Sequence, residues 1–326
     1  MVLAGGLGTR LRPITLSRPK PLMPVCNRPL VLWALELLPP EVDEVFVAVG
    51  YKGELVRKLF EEIGGWRNLC VRVEVEETPL GTGGPLKRLE KHLQDTFAVI
   101  NGDVLCSLDI GEMLRYHKKM GGLGTIAIWE VDDPGAYGMV VLDGEGRINR
   151  FVEKPGLGEA VSRLINAGSY VLEPEILQYM ESARELSIER DVFPRVLEKG
   201  LYGFKFRGYW FDAGTLDSYL KAHACLMKGV TKGPGVEEGA GVVWRPPVLT
   251  GDGCRVGPGS RIGPAVCLGR CVLVGRDCTL ENSVLHDGAS VGDGARLEGC
   301  IVGEGASVED GAIVMGRIIG DGERAV

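Results

Sequence analysis

The feature that most narrows what this chain can fold into is a short repeat in its last quarter. A large aliphatic residue returns nearly every six positions: Val256, Ile262, Leu268, Val274, Leu280, Leu285, Val291, Leu297, Val302, Val308 and Val314. Two positions before each stands a smaller one: Cys254, Ser260, Val266, Val272, Cys278, Ser283, Ala289, Ala295, Cys300, Ala306 and Ala312. Residues two apart on a strand face the same side. Each short strand therefore turns one large and one small side chain inward. Three such strands make a coil of about 18 residues, the grammar of a hexapeptide-repeat β-helix. Residues 248–326 are read as a left-handed parallel β-helix of roughly four coils.

The preceding residues follow another grammar. At 326 residues the chain is long enough for two domains and a buried core. Over 1–228 short apolar runs alternate with helical patterns. The strand candidates are residues 1–4, 45–50, 70–76, 97–102, 124–131, 138–142, 148–154, 168–172 and 202–206. Amphipathic stretches at 30–38, 53–63 and 109–120 read as helices. This alternation predicts an α/β fold: a Rossmann-like, mostly parallel sheet covered by helices. Residues 229–247 are rich in Gly and Pro and read as a linker between the two domains.

Composition removes several classes of function. The net charge of −7 argues against nucleic acid or an anionic membrane as main partner. The strongest apolar run, residues 29–38, is too short to span a bilayer and carries Glu36. The first residues lack the apolar stretch of a signal peptide, so the chain is read as cytoplasmic. Nine cysteines without a Cys-x-x-Cys pair, and four histidines without ligand spacing, do not describe a structural zinc. Cys254, Cys278 and Cys300 fall in the small inward slot of the repeat. Cys267 and Cys271 do not; they are expected at the surface, and a disulfide between them stays open.

Against this acidic background the opening is basic. "LAGGLGTRLRPITLSRPKPL" (3–22) carries Arg10, Arg12, Arg18 and Lys20 and no acidic residue. It is not a P-loop, which needs Lys-Ser/Thr after its last glycine. It is not a dinucleotide fingerprint either, because Leu11 stands at the third glycine position. A strand followed by "GGLGTR" remains: glycines that let backbone N–H groups approach phosphate, Thr9 as hydroxyl donor, and Arg10 and Lys20 as cations.

This stretch resembles the signature of the sugar-phosphate nucleotidylyltransferases, the NDP-sugar pyrophosphorylases. "ETPLGTGGPL" (77–86), "VINGDV" (99–104), "YGMVV" (137–141), "RFVEKP" (150–155), "INAGSYVL" (165–172), "SIERDVFP" (187–194) and "GYWFDAGT" (208–215) strengthen it. Its nearest branch is similar to the mannose-1-phosphate guanylyltransferases, which also carry a hexapeptide β-helix. The resemblance implies that an NTP and a sugar 1-phosphate give NDP-sugar and pyrophosphate. GTP and mannose 1-phosphate, giving GDP-mannose, are the favoured pair.

The same resemblance implies roles. Asp103 and Asp212 would hold Mg²⁺; Arg10 and Lys20, with Asp103, would carry the catalysis. Leu3, Ala4, Gly5, Gly6, Gly8, Thr9 and Arg10 would meet the nucleotide, with Gly81 across from them and Glu76 or Glu77 at the base edge. A carboxylate there suits guanine N1 and N2 better than adenine. Tyr137, Gly138, Glu153, Lys154, Asn166, Ala167 and Gly168 would form the sugar-phosphate pocket. "AGGLG" and "GTGG" depart from the "VGGYG" and "GTAG" of eukaryotic-type guanylyltransferases and leave nucleotide choice open. Glucose-1-phosphate thymidylyl, uridylyl or adenylyl transfer is one alternative. A non-catalytic sugar-nucleotide sensor is another, which the joint presence of Arg10, Lys20, Asp103 and Asp212 disfavours. Acyl transfer by the β-helix is disfavoured too, because its sole histidine is His286. The β-helix is read as joining copies of the chain into a homo-oligomer.

Overall fold

The computed structural model describes residues 1–156, 161–181 and 185–326. They form two compact units, and neither is contiguous in sequence: Met1–Gly6 with Val31–Trp210, and Leu7–Leu30 with Phe211–Val326. The contacts thus divide the chain elsewhere than at the expected 228. The basic opening loop and the segment from Phe211 belong with the β-helix.

The first unit holds all nine expected strands. They are β1 (Val2–Leu3), β2 (Glu44–Val49), β3 (Cys70–Val75), β4 (Phe97–Asn101), β5 (Gly124–Glu130), β6 (Gly138–Leu142), β7 (Ile148–Glu153), β8 (Leu164–Leu172) and β9 (Leu201–Lys205). One sheet runs in the order β7-β6-β8-β4-β1-β2-β3, with β5 and β9 continuing from β8. The block β4-β1-β2-β3 is parallel throughout. β8 joins it antiparallel against β4, and β5 pairs antiparallel with β8 and parallel with β9.

Helix α1 spans Leu30–Glu36, Leu30 itself being counted with the second unit; α2 is Gly53–Ile63 and α3 is Ile110–Met120. Helix α2 ends at Gly64 in the left-handed region. Helix α3 starts from Asp109, whose carboxylate accepts the Glu112 N–H at 2.7 Å. α2 packs on β3, and α3 on β5 and β9. Between sheet and helices lies a core that includes Leu3, Val99, Ile126, Tyr170 and Phe193.

In the second unit three parallel sheets stack coil on coil. Two have six strands and one has five. Val248 pairs with Val266, 18 residues on; Val284 pairs with Ile301, 17 residues on, where the repeat drops a residue. Every large residue of the repeat is buried, and so is every small one except the half-buried Ala312. Corner carboxylates tie coils together: Asp287, Asp293 and Asp310 accept backbone N–H bonds from Arg270, Arg276 and Asp293, 17 residues earlier, each at 2.8 Å.

The expected linker is corrected. Val230–Thr231, Glu237–Glu238 and Val243–Trp244 are strands that pair in register with Val248–Leu249, Arg255–Val256 and Arg261–Ile262. Residues 229–247 are thus a first coil, whose glycines turn corners rather than loosen the chain. With it there are five coils and part of a sixth. Cys267 is a second correction. It is fully buried, its thiol 3.4 Å from Asn27 Oδ1, and both it and the exposed Cys271 are free thiols.

The opening loop closes over this unit through three short 3₁₀ turns, Thr9–Leu11, Ile14–Leu16 and Lys20–Leu22, with Leu11, Ile14 and Met23 fully buried. Arg18 pairs with Glu304 at 2.6 Å and Asp321 at 2.7 Å. Beneath lie two buried histidines. His223 Nδ1 accepts the Cys26 N–H at 3.3 Å, and His286 Nε2 meets the Tyr219 hydroxyl at 3.3 Å. Burial is the main cause that lowers His223 to about 3, with His286 adding to it. Burial, then Arg18, lowers His286 to about 4.

Unfolded histidine titrates near 6.5, so between pH 6.5 and these values the unfolded chain binds more protons than the folded one. Stability is complete above pH 6.5 and falls as the pH drops below it. At pH 5 the loss is on the order of 2 kcal/mol for each histidine. Thermal melts at pH 7.5 and 5 are expected to show this, and His286→Asn is expected to flatten the dependence. A melting temperature constant across that range contradicts it.

Candidate active site

The parallel block of the first unit has a topological switch point at β1. From β1 the chain builds outward to β2 and β3, then returns to place β4 on the other side of β1. Ligands bind at such a switch point, beyond the carboxyl ends of the strands. Two connections leave there: Ala4–Gly6 after β1, and Gly102–Asp103 after β4. Gly102 N–H donates to the Leu3 carbonyl at 2.7 Å. A Cβ on Gly102 would lie 2.9 Å from Val2 Cγ1, so only glycine brings the half-buried Asp103 this close to β1. Leu3 and Ala4 are buried, while Gly5 and Gly6 are exposed.

Glu76 lies beside Gly5: a Cβ there would be 3.7 Å from its Oε2. The same oxygen accepts the Leu80 N–H at 3.2 Å. Burial raises its pKa, opposed by the Leu80 N–H and by Arg88. Glu77 is exposed, so Glu76 is the carboxylate turned toward the glycine loop. Gly81 has φ of 73°, and a Cβ on it would strike the Leu186 carbonyl at 2.4 Å.

Gly81 also lines a cleft of about 520 Å³. This cleft is lined by Gly81, expected against the nucleotide, by Glu153 and Lys154, expected at the sugar phosphate, and also by Thr82, Glu189 and Arg190. Lys154 is held at φ of 51°, unusual for a lysine, and its N–H donates to the Tyr137 carbonyl at 3.1 Å. Burial and then Glu189 raise the Glu153 pKa, against Lys154 and Arg190. A Cβ on Gly138 would sit 2.7 Å from Glu153 Oε2, which explains the glycine.

Tyr137 is half-buried and stands edge-on to Trp210, 5.2 Å between centroids. Trp210 Nε1 donates to the Ala167 carbonyl at 2.9 Å. Asn166 Nδ2 donates to the Tyr170 hydroxyl at 2.8 Å, and its Oδ1 accepts the Gly168 N–H at 2.9 Å. Gly168, at φ of 79°, leaves room for the Asn101 amide, which a Cβ would approach to 2.6 Å.

The second unit carries the cations. Gly8 is left-handed at φ of 62°, and its carbonyl accepts the Thr15 hydroxyl at 2.8 Å. The 3₁₀ turn that follows exposes Thr9 and Arg10, while Lys20 is buried. Asp212 takes both cations, Arg10 on Oδ2 at 3.2 Å and Lys20 on Oδ1 at 3.1 Å. Gly214 makes space for them, since a Cβ there would lie 2.6 Å from Arg10 Nη2 and 3.0 Å from Lys20 Nζ. Of the four basic residues of the opening, Arg18 serves the β-helix and Arg10 and Lys20 form this clamp.

Each of the two expected metal carboxylates, taken by itself, suits a hard divalent ion. Asp103 and Asp212 offer oxygen only. Among the described residues, no group of three or more His, Cys, Asp or Glu could hold a metal. Mg²⁺ needs one or two protein carboxylates and fills its shell with substrate phosphate and water.

The sequence pattern of the nucleotidyl transferase family matches residues 1–229, and that of the GMPPB C-terminal domain matches residues 244–324. The chain belongs to the nucleotidyl transferase family. It is 40% identical over 239 residues to the mannose-1-phosphate guanyltransferase of Eremothecium gossypii, a match covering 71% of this chain and 65% of that protein. The chain thus spans just under two thirds of that relative. The mannose-1-phosphate guanyltransferase of Aspergillus oryzae is 41% identical over 307 residues, 89% of this chain and 84% of that protein. Among solved structures, HddC from Yersinia pseudotuberculosis complexed with GMP-PN is 30% identical, with a TM-score of 0.58, covering 68% of this chain and 96% of that one.

In this nucleotidyl transferase the cleft is also lined by Thr82, Glu185, Ser187, Glu189, Arg190 and Asp191, none of which sequence reasoning singled out. "SIERDVFP" contributed to the resemblance, but no local rule gave Glu189 a role. The available signal was a charged run, Glu189 to Asp191, set between the apolar Ile188 and Val192–Phe193, all three of which are buried.

Proposed function

We propose that this chain transfers guanylyl from GTP to mannose 1-phosphate, giving GDP-mannose and pyrophosphate. The observation that carries the reaction class is the pairing of buried Lys20 and exposed Arg10 on Asp212 at the end of the glycine loop. It supplies two fixed cations for a polyphosphate before any substrate arrives. The names of the 40%-identical relatives support the substrate pair. The Glu76 carboxylate beside Gly5 supports guanine, whose N1–H and N2–H it can accept.

An oxygen of the sugar phosphate attacks the α-phosphorus in line. A bond forms from that oxygen to phosphorus as the bond to the β-phosphate oxygen breaks, and pyrophosphate leaves with the electron pair. The substrate is its own nucleophile. Arg10 and Lys20 hold the leaving pyrophosphate, Lys154 the sugar phosphate, and Glu153 accepts from sugar hydroxyls. Asp103 would hold Mg²⁺, and Asp212 is the second carboxylate that the resemblance implies; the ion would neutralise phosphate charge.

A grid of GTP, ATP, UTP, CTP and dTTP against mannose, glucose and galactose 1-phosphates, read by pyrophosphate release, tests the assignment. GTP with mannose 1-phosphate is expected to have the highest kcat/KM. A higher value for UTP or dTTP overturns the guanine reading, and no release from any pair overturns the enzyme.

A further inference from the structure

We propose that Glu189 is a positioning residue that couples the nucleotide and sugar sides of the site, an inference that rests on the transferase reading above. Glu189 is only 8% exposed, in a π-helical turn over Ile188–Val192. Such turns are rare and recur at functional sites. Its Oε2 accepts the Thr82 hydroxyl at 2.5 Å and the Ser187 hydroxyl at 2.7 Å, and its Oε1 accepts the Tyr170 hydroxyl at 3.0 Å. Thr82 in turn accepts the Ile188 N–H at 3.0 Å. One buried carboxylate therefore joins the second glycine loop, beside Gly81, to Tyr170 and Asn166 on β8.

The chemistry gives this chain a direction. An ionised carboxylate only accepts. Tyr170 has one hydroxyl proton and places it on Glu189, so its oxygen can only accept from Asn166. The Asn166 amide must then present Nδ2 to Tyr170 and Oδ1 to the Gly168 N–H. Glu189 thereby sets which face of Asn166 is turned to the sugar pocket, and through Thr82 it sets the loop on the nucleotide side. Glutamine at 189 breaks this rule. If its NH₂ faces Tyr170, the hydroxyl turns to Asn166, and the amide either flips its donor onto the Gly168 N–H or loses its bond. If its NH₂ faces Thr82 and Ser187, the loop side loses its acceptor.

Steady-state kinetics on the full chain test this, with folding checked by thermal melts. Glu189→Gln is expected to raise KM for both GTP and mannose 1-phosphate by roughly tenfold, the scale of one hydrogen bond to a charged group. Tyr170→Phe is expected to raise KM for the sugar phosphate alone, and Thr82→Val KM for the nucleotide alone. A residue that only supports the fold would not divide the substrates in this way. The proposal is overturned if Glu189→Gln leaves both KM values within twofold of wild type. It is equally overturned if the two flanking variants shift both substrates alike, and they alone decide it should Glu189→Gln not fold. Wild-type protein that releases no pyrophosphate from any pair sinks the transferase reading instead, and Kd values for the same two ligands then make the same comparison.

Discussion

A Lys20→Met chain is expected to lose about two to three orders of magnitude in kcat while remaining folded. The stem of Lys20 is packed, its side chain 5% exposed, and methionine keeps much of that apolar volume. What disappears is the ammonium 3.1 Å from Asp212 Oδ1. On the proposed mechanism it holds the charge that develops on the departing pyrophosphate. A charge fixed in a dry site costs no reorganisation at the moment of reaction, and removing one such group commonly raises the barrier by about 3–4 kcal/mol.

The substitution also leaves the 19%-exposed Asp212 with Arg10 alone, at 3.2 Å, so a stability loss of about 1–3 kcal/mol is expected beside the rate loss. Adding Asp212→Asn separates the two effects. The double variant is expected to recover melting temperature without recovering rate. Pyrophosphate-release kinetics and thermal melts decide the matter. A Lys20→Met enzyme within threefold of wild type removes the clamp from the mechanism.

Asp103→Asn is expected to reduce turnover by about a thousandfold or more, and to move what remains to higher Mg²⁺ concentrations. The substitution keeps shape and hydrogen-bonding reach, so the Gly102 approach to Leu3 and the β4 strand are expected to survive. The negative charge at the switch point is lost. Without it the divalent ion binds through fewer carboxylates, and two polyanionic substrates meet with less of their charge neutralised. Titrating Mg²⁺ against the rate of both proteins is the test. Unchanged turnover with an unchanged metal midpoint would assign Asp103 to the turn after β4 and to nothing else.

Secondary structure and repeat were largely legible because both are written in short-range spacing. Nine strands stood where alternating apolar runs placed them. The β-helix followed from residues six and two apart, since each coil stacks on the one 17 or 18 residues away. The 229–247 coil was hidden because its glycines are corner residues. Gly229, Gly235 and Gly241 all have positive φ, and one composition serves a tight corner and a linker alike. Cys267 was misplaced for a related reason. It points away from the coil axis, and what covers it, Asn27, is 240 residues distant.

The sequence by itself determined the elements, the repeat and the chemical inventory: glycines after a first strand, cations in the opening loop, carboxylates at Asp103 and Asp212. Those are local facts, because strand pattern, turn chemistry and ionic character depend on near neighbours. Tertiary structure alone decided the pairings. Asp212 reaches Arg10 and Lys20 across 202 and 192 residues, Arg18 turns to Glu304 and Asp321, Glu76 rather than Glu77 stands beside Gly5, and Glu189 ties Thr82 to Tyr170. No spacing rule spans such separations. Which carboxylate a buried cation meets is settled by packing, because only there does the loss of water force every charge to find its partner.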